Sequence, residues 1–368
     1  MSVLSDRAGG INLAQGICDT AVPAVVAEGS ARAIRDGQNI YTRLDGIARL
    51  RRAIAAKVEA SLGNGAVDPE HEVLVTSGAT GAFHAATMAL LNPGDEVIFF
   101  EPFYGYHLAA VRSVRAVPVV VPLDRDRWKM RAEAVRSAIT PRTRAMVINT
   151  PSNPAGKVFT RAELECLAEI ALEYDLFALT DEMYEHFVYG DAEHVSAASI
   201  AGMRERTILI SGFSKTFSVT GWRVGYCVAD RRWTPSIGYF HDLLYVCAPA
   251  PLQHGVADGL EGLEPEFYSG LKREYGLKRE MLLDALRAAG LAPCVPDGAY
   301  YILAETSRLE GGTAAEKARD LLARTGVAAV AGTAFFRPGV ERAQNLLRFC
   351  FAKKDEELAE ACRRLRRL

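Results

Sequence analysis

Lys215 lies in a segment of small, polar and aromatic residues that follows an apolar run typical of a buried strand, Thr207 to Ser211. A lysine at the carboxyl end of a parallel strand faces a cleft, where burial can remove its proton and let the amine attack an aldehyde. Arg223 follows beyond a Thr-Gly pair and is placed to fold back and hold a phosphate. Taken alone, Lys215 could equally well be a solvated surface lysine, and Arg223 could equally well be a structural arginine. Together they suggest an aldehyde cofactor that carries a phosphate.

A second group of small residues marks the junction between a predicted strand and a predicted helix. It contains Gly78, Ala79 and Thr80 within T-S-G-A-T-G-A. Small residues let backbone amides approach a phosphate, and the helix N-terminus adds favourable partial charge. The alternative is an ordinary tight turn, because glycine is common in such turns. The sequence has neither G-x-x-x-x-G-K nor G-x-G-x-x-G, which removes the main support for nucleotide binding.

Two further polar segments also follow predicted strands. Asn153 lies in N-T-P-S-N-P-A-G, where two prolines fix the backbone and leave the amide free to donate. Asp181 ends an apolar strand, and an unpaired carboxylate there would be costly, so it needs a cationic partner. A protonated pyridine nitrogen is one such partner, and Tyr184 is close enough in sequence to reach a phenolate oxygen on the same ring. By itself, Asp181 would more often be a helix cap or half of a structural salt bridge.

The elements that must position these residues alternate short apolar runs with longer amphipathic stretches, which is the rhythm of a parallel sheet. We therefore expect an α/β fold with a doubly wound, mainly parallel sheet, which binds ligands at the carboxyl ends of its strands. The predicted strands are Glu72 to Thr76, Glu96 to Phe100, Val117 to Val121, Ala145 to Asn149, Phe177 to Asp181, Thr207 to Ser211 and Val224 to Val228. The predicted helices among them are Thr80 to Leu91, Glu133 to Ile139 and Arg161 to Tyr174.

After Trp233 this rhythm breaks, and Pro235, Pro249 and Pro251 are interpreted as interruptions of the chain. A long helix from Glu264 to Ala289 is predicted to lead into a smaller α+β C-terminal domain. That domain is predicted to contain strands at Gly298 to Ala304 and Leu346 to Ala352, and helices at Ala314 to Arg324 and Asp355 to Leu368. The predicted division is an N-terminal arm with part of the small domain at 1–40, a large domain at 41–265 and the small domain at 266–368.

Composition narrows the class of protein. The 368 residues have a formal net charge of -2, and 49% are hydrophobic, so there is neither a disorder signature nor a basic surplus for nucleic acid. The seven cysteines form no C-x-x-C pair, which argues against a zinc site or disulfide framework and favours free thiols in a reducing cytoplasm. No signal peptide or apolar run of about 18 residues is apparent, so neither export nor a membrane span is expected.

The ordered blocks S-G-F-S-K-T-F-x-x-T-G-W-R, N-x-P-x-N-P-x-G, T-x-G-A-x-x-A and D-E-x-Y resemble the class I and II aminotransferases. These are pyridoxal-phosphate enzymes of fold type I, and the resemblance covers nearly the whole chain. It implies an aminotransferase that moves an amino group from an L-amino acid to a 2-oxo acid such as 2-oxoglutarate or pyruvate. The aromatic residues near the predicted site, Tyr104 and Phe335 among them, favour neutral or aromatic donors.

The resemblance also implies a role for each matched residue. Lys215 forms the Schiff base with pyridoxal phosphate and then moves the proton, and Asp181 keeps the pyridine nitrogen protonated. The remaining cofactor contacts implied are Asn153 and Tyr184 to the phenolate oxygen, Tyr104 to the ring face, and Gly78, Ala79, Thr80 and Arg223 to the phosphate. Arg348 grips the substrate α-carboxylate, with Gly16 and Asn153 beside it. Tyr41 reaches the phosphate of a neighbouring subunit, so a homodimer with shared sites is implied.

Two departures from the family pattern are visible. Gly212 stands where relatives with Ser-x-x-Lys have a phosphate-binding serine, and Ser211 or Ser214 is the expected substitute. About ten residues precede Ile11, fewer than in relatives with a longer helical arm, which affects the expected entrance to the site. Three alternatives stay open on the same scaffold: a C-S β-lyase, an enzyme like 1-aminocyclopropane-1-carboxylate synthase, and a non-catalytic cofactor-binding regulator.

Overall fold

The computed structural model describes residues 1–63, 65–124 and 127–368. In these residues the strands are β1 (Ile11–Asn12), β2 (Val73–Ser77), β3 (Glu96–Glu101), β4 (Val117–Pro122), β5 (Thr143–Asn149), β6 (Phe177–Asp181), β7 (Thr207–Gly212), β8 (Val224–Val228), β9 (Ala292–Pro293), β10 (Tyr301–Glu305), β11 (Val327–Ala328), β12 (Val330–Ala331) and β13 (Leu346–Cys350).

The α-helices are α1 (Ser2–Arg7), α2 (Ala24–Arg35), α3 (Ala48–Leu62), α4 (Gly78–Leu90), α5 (Gly105–Ser113), α6 (Ala132–Ser137), α7 (Arg161–Glu173), α8 (Thr234–Tyr245), α9 (Ala250–Gly262), α10 (Pro265–Ala288), α11 (Ala314–Thr325) and α12 (Asp355–Leu365). Short 3-10 helices occupy Ala197–Ser199, Thr220–Trp222, Gly332–Phe335 and Glu341–Asn345. Among the described residues, no helix combines the length and apolar character needed to cross a membrane.

A seven-stranded sheet forms the centre of the fold, in the order β2-β8-β7-β6-β5-β3-β4. Hydrophobic clusters cover both faces of this sheet. Leu74 and Val75 are adjacent in β2 and point to opposite faces, and each packs in a different cluster. Six strands run in one direction, and β8 alone is antiparallel to its neighbours β7 and β2. A parallel crossover needs a dozen or more residues, usually a helix, and the β7–β8 connection contains only a 3-10 turn. The expected α/β, mainly parallel sheet is therefore confirmed.

The C-terminal part of the chain forms a second, four-stranded antiparallel sheet in the order β12-β13-β10-β9. The N-terminal segment joins this region, because β1 pairs in parallel with β11, with Ile11 opposite Val327. Helices α10 and α12 bury apolar residues against the same sheet, Leu282 and Leu358 among them. The division of the chain at residues 40 and 265 stays a prediction.

The predicted interruptions after Trp233 are wrong, because the prolines there lie at the starts of helices. Pro235 lies in the first turn of α8, and Pro251 lies in the first turn of α9. Proline fits the first turn because its missing N–H would have no partner within the helix. The predicted strand at Gly298 to Ala304 begins later, at Tyr301, because Ala299 has a φ of 56° that no strand accommodates.

Candidate active site

A cleft of about 510 Å³ opens at the edge of the large sheet where six of the seven strands have their carboxyl ends. Strand β8 runs the other way, so its amino end, preceded by Arg223, reaches the same edge. The cleft also borders the N-terminal segment and the smaller sheet. Of the residues predicted for the site, those that line the cleft are Gly16, Ala79, Thr80, Tyr104, Asn153, Asp181, Tyr184, Ser214, Lys215, Arg223 and Arg348.

Lys215 lies just beyond the end of β7, with its amine inside the cleft. Its Nζ donates to the backbone carbonyl of Gly16 at 2.9 Å, and it lies 5.8 Å from the centre of the Tyr300 ring. Burial lowers the pKa of the Lys215 amine, and the positive charges of Arg223 and Arg348 act in the same direction. A lowered pKa leaves more of the amine unprotonated near neutral pH, which is the form that attacks a carbonyl carbon.

Asp181 is the last residue of β6 and has a partner that the sequence did not reveal. Its Oδ2 lies 3.0 Å from Nε2 of His107, and its Oδ1 accepts from the backbone N–H of Met183 at 3.2 Å. The His107 ring stacks on Phe83 with centroids 4.3 Å apart. These contacts fix the carboxylate at the cleft wall, and a carboxylate has enough lone pairs to accept another N–H.

In three of the tyrosines that line the cleft, burial disfavours the ionised form. Burial raises the pKa of Tyr104 to about 12, and burial also raises the pKa values of Tyr184 and Tyr301. The hydroxyls of Tyr184 and Tyr301 lie 3.0 Å apart in a hydrogen bond. Tyr184 is therefore a hydroxyl donor or acceptor held in place by a second phenol.

One end of the cleft has the properties of an anion site. Helix α4 starts there, and its N-cap residue Ser77 makes no side-chain capping bond, so the first backbone N–H groups stay available. Gly78 has a φ of 69°, and a Cβ at this position would lie 2.4 Å from Nη2 of Arg223. The guanidinium therefore rests on the glycine. Ala79 and Thr80 continue this end of the cleft wall.

The glycine at position 212 is required by close packing. A Cβ there would lie 2.9 Å from Cα of Gly225, and a Cβ at Gly225 would lie 2.5 Å from the backbone nitrogen of Ala79. Close packing of the two glycines thus lets the start of α4 approach β8. A side chain at Gly212 would collide with the backbone, which explains why a serine is absent from this position.

Of the two expected substitutes, only Ser214 lies at the cleft. Ser214 is buried and lines the cleft wall beside Lys215. Ser211 points elsewhere, because its hydroxyl lies 3.3 Å from the carbonyl of Glu182 and 3.2 Å from Oε1 of Glu185. The structure thus brings Ser214, and not Ser211, to the cleft.

Arg348 projects from β13 at the opposite end of the cleft. Its Nη1 donates to Oδ1 of Asn153 at 2.8 Å, and its Nη2 donates to the carbonyl of Ala14 at 2.6 Å. Its guanidinium carbon lies 4.3 Å from the Tyr301 ring centre and 4.9 Å from that of Phe335. Nε is buried with no hydrogen-bond partner. A buried guanidinium with an unused donor is suited to a carboxylate, which planar N–H groups bind bidentately.

Asn153 and Gly16 complete this end. The Asn153 backbone N–H donates to Asn149 Oδ1 at 2.8 Å. The side-chain oxygen of Asn153 accepts from Arg348, which leaves the side-chain NH₂ as a donor. The carbonyl of Gly16 also accepts from Tyr300 at 3.1 Å. A Cβ on Gly16 would overlap the Tyr301 hydroxyl at 1.8 Å, so only glycine fits this position.

Tyr41 lies outside this cleft, on an exposed segment, and 79% of its surface is accessible. The single chain does not bring it to the other predicted residues. The structure also adds cleft residues that sequence reasoning did not single out for the site, chiefly His107 and the carbonyl of Ala14. His107 was detectable in principle, because it lies one helical turn beyond Tyr104 on α5, whereas a backbone carbonyl leaves no trace in the sequence.

Comparison with known proteins identifies the family of this chain. The family model for aminotransferase class I and II matches residues 8–365. The chain is 38% identical over 374 residues to a probable N-succinyldiaminopimelate aminotransferase of Mycobacterium tuberculosis, covering 99% of this chain and 94% of that one. It is 34% identical over 368 residues to the methionine aminotransferase of Escherichia coli, covering 100% and 94%.

A solved structure of the N-succinyldiaminopimelate aminotransferase from Mycobacterium tuberculosis superimposes with a TM-score of 0.95 and 39% identity, covering 100% of this chain and 95% of that one. The chain therefore belongs to the class I and II aminotransferases, a family that uses pyridoxal phosphate to move amino groups between amino acids and 2-oxo acids. It is an aminotransferase, and the resemblance read from the motifs is confirmed.

Proposed function

We propose that the chain binds pyridoxal 5'-phosphate through Lys215 and moves the amino group of a neutral or aromatic L-amino acid to a 2-oxo acid, with 2-oxoglutarate and pyruvate as the first candidates. The observation that carries this proposal is the buried Lys215 amine, with lowered pKa, in one cleft with Asp181 and Arg348. Bound there, the cofactor supplies an aldehyde for the lysine and a ring that accepts electrons from the substrate α-carbon.

The residues present fit this cofactor. The uncapped start of α4, with Arg223 against Gly78, is suited to a phosphate, and the hydroxyl of Ser214 adds a donor. Asp181 would hold the pyridine N–H, and His107 would keep that carboxylate aimed. The donors assigned to the phenolate oxygen are Asn153 and Tyr184, and Tyr104 is assigned to the ring face.

At the other end, Arg348 would bind the α-carboxylate and so orient the α-carbon toward Lys215. The carboxylate would take the unused Nε donor and compete with the carbonyl of Ala14 for Nη2. The Lys215 amine, freed from Gly16, would then remove the α-proton and deliver it to the cofactor carbon that carried the aldehyde.

The test is the visible spectrum of the cofactor-loaded protein before and after single L-amino acids, with the 2-oxo acid product measured. The visible absorption band of the bound cofactor should bleach with neutral or aromatic amino acids, and one 2-oxo acid should form per bleached site. Lys215→Ala should lack the response, and Lys272→Ala, at an exposed lysine, should keep it. A band that no amino acid bleaches, or elimination products in place of the 2-oxo acid, would contradict the proposal.

We further propose a homodimer in which Tyr41 reaches the phosphate end of the partner's cleft, the end where α4 begins and Arg223 rests on Gly78. The support is an exposed apolar surface, the dimer face, formed by Ile40, Tyr41, Leu44, Tyr239, Leu243, Leu244, Tyr245 and Val246. It begins beside the phosphate end, because a Cβ on Gly81 of α4 would lie 3.3 Å from Tyr245. An apolar surface of this kind marks a protein interface more often than open solvent.

Sedimentation of wild type and Leu243→Glu tests the dimer. The wild type should sediment as a dimer, and a carboxylate buried in the interface should dissociate it and weaken cofactor binding. Glu28→Gln, on the surface of α2, serves as the control. A monomeric wild type with full activity would exclude the shared site. We assign the enzyme to the cytoplasm, which its seven free cysteines support.

A further inference from the structure

The cleft wall beyond the groups assigned to the cofactor and the α-carboxylate is neutral. Among the described residues, that wall consists of side chains that are apolar, aromatic or uncharged amides, namely Gln15, Tyr106, Ala110, Val330, Ala334 and Phe335. Phe335 is buried, and Tyr106 is 65% exposed at the mouth, where its ring stacks on Tyr104 with centroids 5.2 Å apart. A substrate side chain in this space meets rings and methyl groups.

The basic side chains that line the cleft are Lys215, Arg223, Arg348 and His107, among the residues the structure describes, and each is already assigned. His107 pairs with Asp181 at 3.0 Å, and Arg223 rests on Gly78 at the phosphate end. Arg348 is held by Asn153 and Ala14, and its remaining N–H groups, Nε among them, are assigned to one carboxylate. A second carboxylate on a substrate would therefore lose water without gaining a countercharge, which is costly.

A second copy docked on the dimer face would not supply the missing charge. Within the segment 38–46 that carries Tyr41, the cationic residue is Arg43. Its Nη2 is 2.7 Å from Asp45 and its Nη1 is 3.2 Å from Glu70, and both carboxylates also pair with Arg51, so this cluster of two arginines and two carboxylates has no net charge. The charged residue in α8 on this face is Asp242, which carries the same sign as the substrate carboxylate.

We propose that both substrates of the transfer have uncharged side chains, so that the acceptor is a 2-oxo acid with a single carboxylate and 2-oxo dicarboxylates are rejected. This inference rests on the proposed function. Of its two candidate acceptors, it favours pyruvate, which has one carboxylate, over 2-oxoglutarate, which has two. The reaction balances: the donor exchanges its α-hydrogen and amino group for a carbonyl oxygen, and the acceptor makes the reverse exchange, so no external oxidant is needed.

The test uses the cofactor-loaded protein after a neutral L-amino acid has bleached it and has been removed. Pyruvate, 2-oxohexanoate and 2-oxoglutarate are then added separately, and recovery of the visible band is followed in time. Of these acceptors, 2-oxohexanoate and 2-oxoglutarate are similar in size and differ in the distal charge. We expect kcat/KM for 2-oxoglutarate to be about 100-fold below that for 2-oxohexanoate. Equal values would overturn the inference.

A pair of variants separates charge from size. Tyr106→Arg places a cation at the cleft mouth, and Tyr106→Gln removes the ring without adding charge. We expect the arginine variant to raise kcat/KM for 2-oxoglutarate about ten-fold relative to the glutamine variant. An equal rise in both variants would make size the cause and overturn the inference. A protein that no amino acid bleaches would instead remove the proposed function, and this inference with it, at the preceding step.

Discussion

The cofactor end of the cleft is built from turns that directly follow or precede neighbouring strands, and its groups come from Gly78, Lys215 and Arg223 on one sheet. The amino-acid end joins distant parts of the chain, since Arg348 on β13 donates to the carbonyl of Ala14 near the N-terminus. The first end depends on strand order alone. The second depends on how the N-terminal segment and the smaller sheet meet the larger one.

This difference predicts that the two ends fail separately when they are altered. At the amino-acid end, backbone carbonyls of Ala14 and Gly16 hold the two reactive side chains, Arg348 and Lys215. Substrate must displace these contacts, so changes there should alter turnover and spare cofactor binding. Changes at the phosphate end should weaken cofactor binding and leave the turnover of the cofactor-loaded enzyme largely unchanged.

The largest expected effect is that of Arg348→Gln. Removing a buried guanidinium that binds a carboxylate costs several kcal/mol, so kcat/KM for the amino acid should fall about 1,000-fold. The visible band of bound cofactor should remain. Arg342→Gln is the matched control, because its guanidinium also stacks on a ring, that of Trp128 at 4.7 Å, away from the cleft. If both variants lost activity alike, the assignment of Arg348 would be wrong.

The next effect is that of Arg223→Gln on cofactor affinity. The dissociation constant for pyridoxal phosphate should rise about 100-fold, since a charge-assisted contact to phosphate is lost. Pyridoxal, which lacks the phosphate, should bind the variant and the wild type with similar affinity in equilibrium dialysis. A loss of equal size for both ligands would mean that Arg223 acts on the fold and not on the phosphate.

A smaller effect separates the two serines. Ser214→Ala should raise the dissociation constant for pyridoxal phosphate about ten-fold, because one hydroxyl donor is lost. Ser211→Ala should leave that constant unchanged and lower the free energy of unfolding by about 1 kcal/mol, since its hydroxyl bonds lie beneath the site. Dialysis and chemical denaturation measure the two quantities. The opposite pattern would transfer the phosphate role to Ser211.

The pH dependence of cofactor loading is the mildest test. Burial lowers the pKa of Lys215, so its reactive, unprotonated form appears at lower pH than in a free lysine. The rate at which apoprotein incorporates pyridoxal phosphate should rise with pH and level off below about pH 10.4, the usual lysine value. Because burial disfavours the charged amine in the folded state, the unfolded chain binds more protons between the lowered pKa of Lys215 and about pH 10.4. The free energy of unfolding of the apoprotein should therefore rise with pH over this range. A rate that still climbs above that value would contradict the lowered pKa.

The sequence predicted that Lys215, Arg223 and Asp181 meet at one edge of the sheet because these residues occupy local motifs. Lys215 and Arg223 lie on one short connection, and Asp181 ends a strand whose limits were predicted correctly. Helices that begin at proline were misread as interruptions, since an isolated proline does not distinguish a break from a first turn. The contact between Arg348 and Ala14 spans most of the chain, and no local pattern encodes it. The choice between Ser214 and Ser211 depends on packing, because only the hydrogen bonds of Ser211 to Glu182 and Glu185 show that it faces away from the cleft.

The central claim is that Lys215 carries the cofactor. Borohydride reduction of the pyridoxal-phosphate-loaded protein fixes the cofactor to its lysine, and peptide mass spectrometry then locates the added mass. We predict one modified site per chain, at Lys215, and loss of that modification in Lys215→Ala. A modification at another lysine, or none at all in the wild type, would contradict the account.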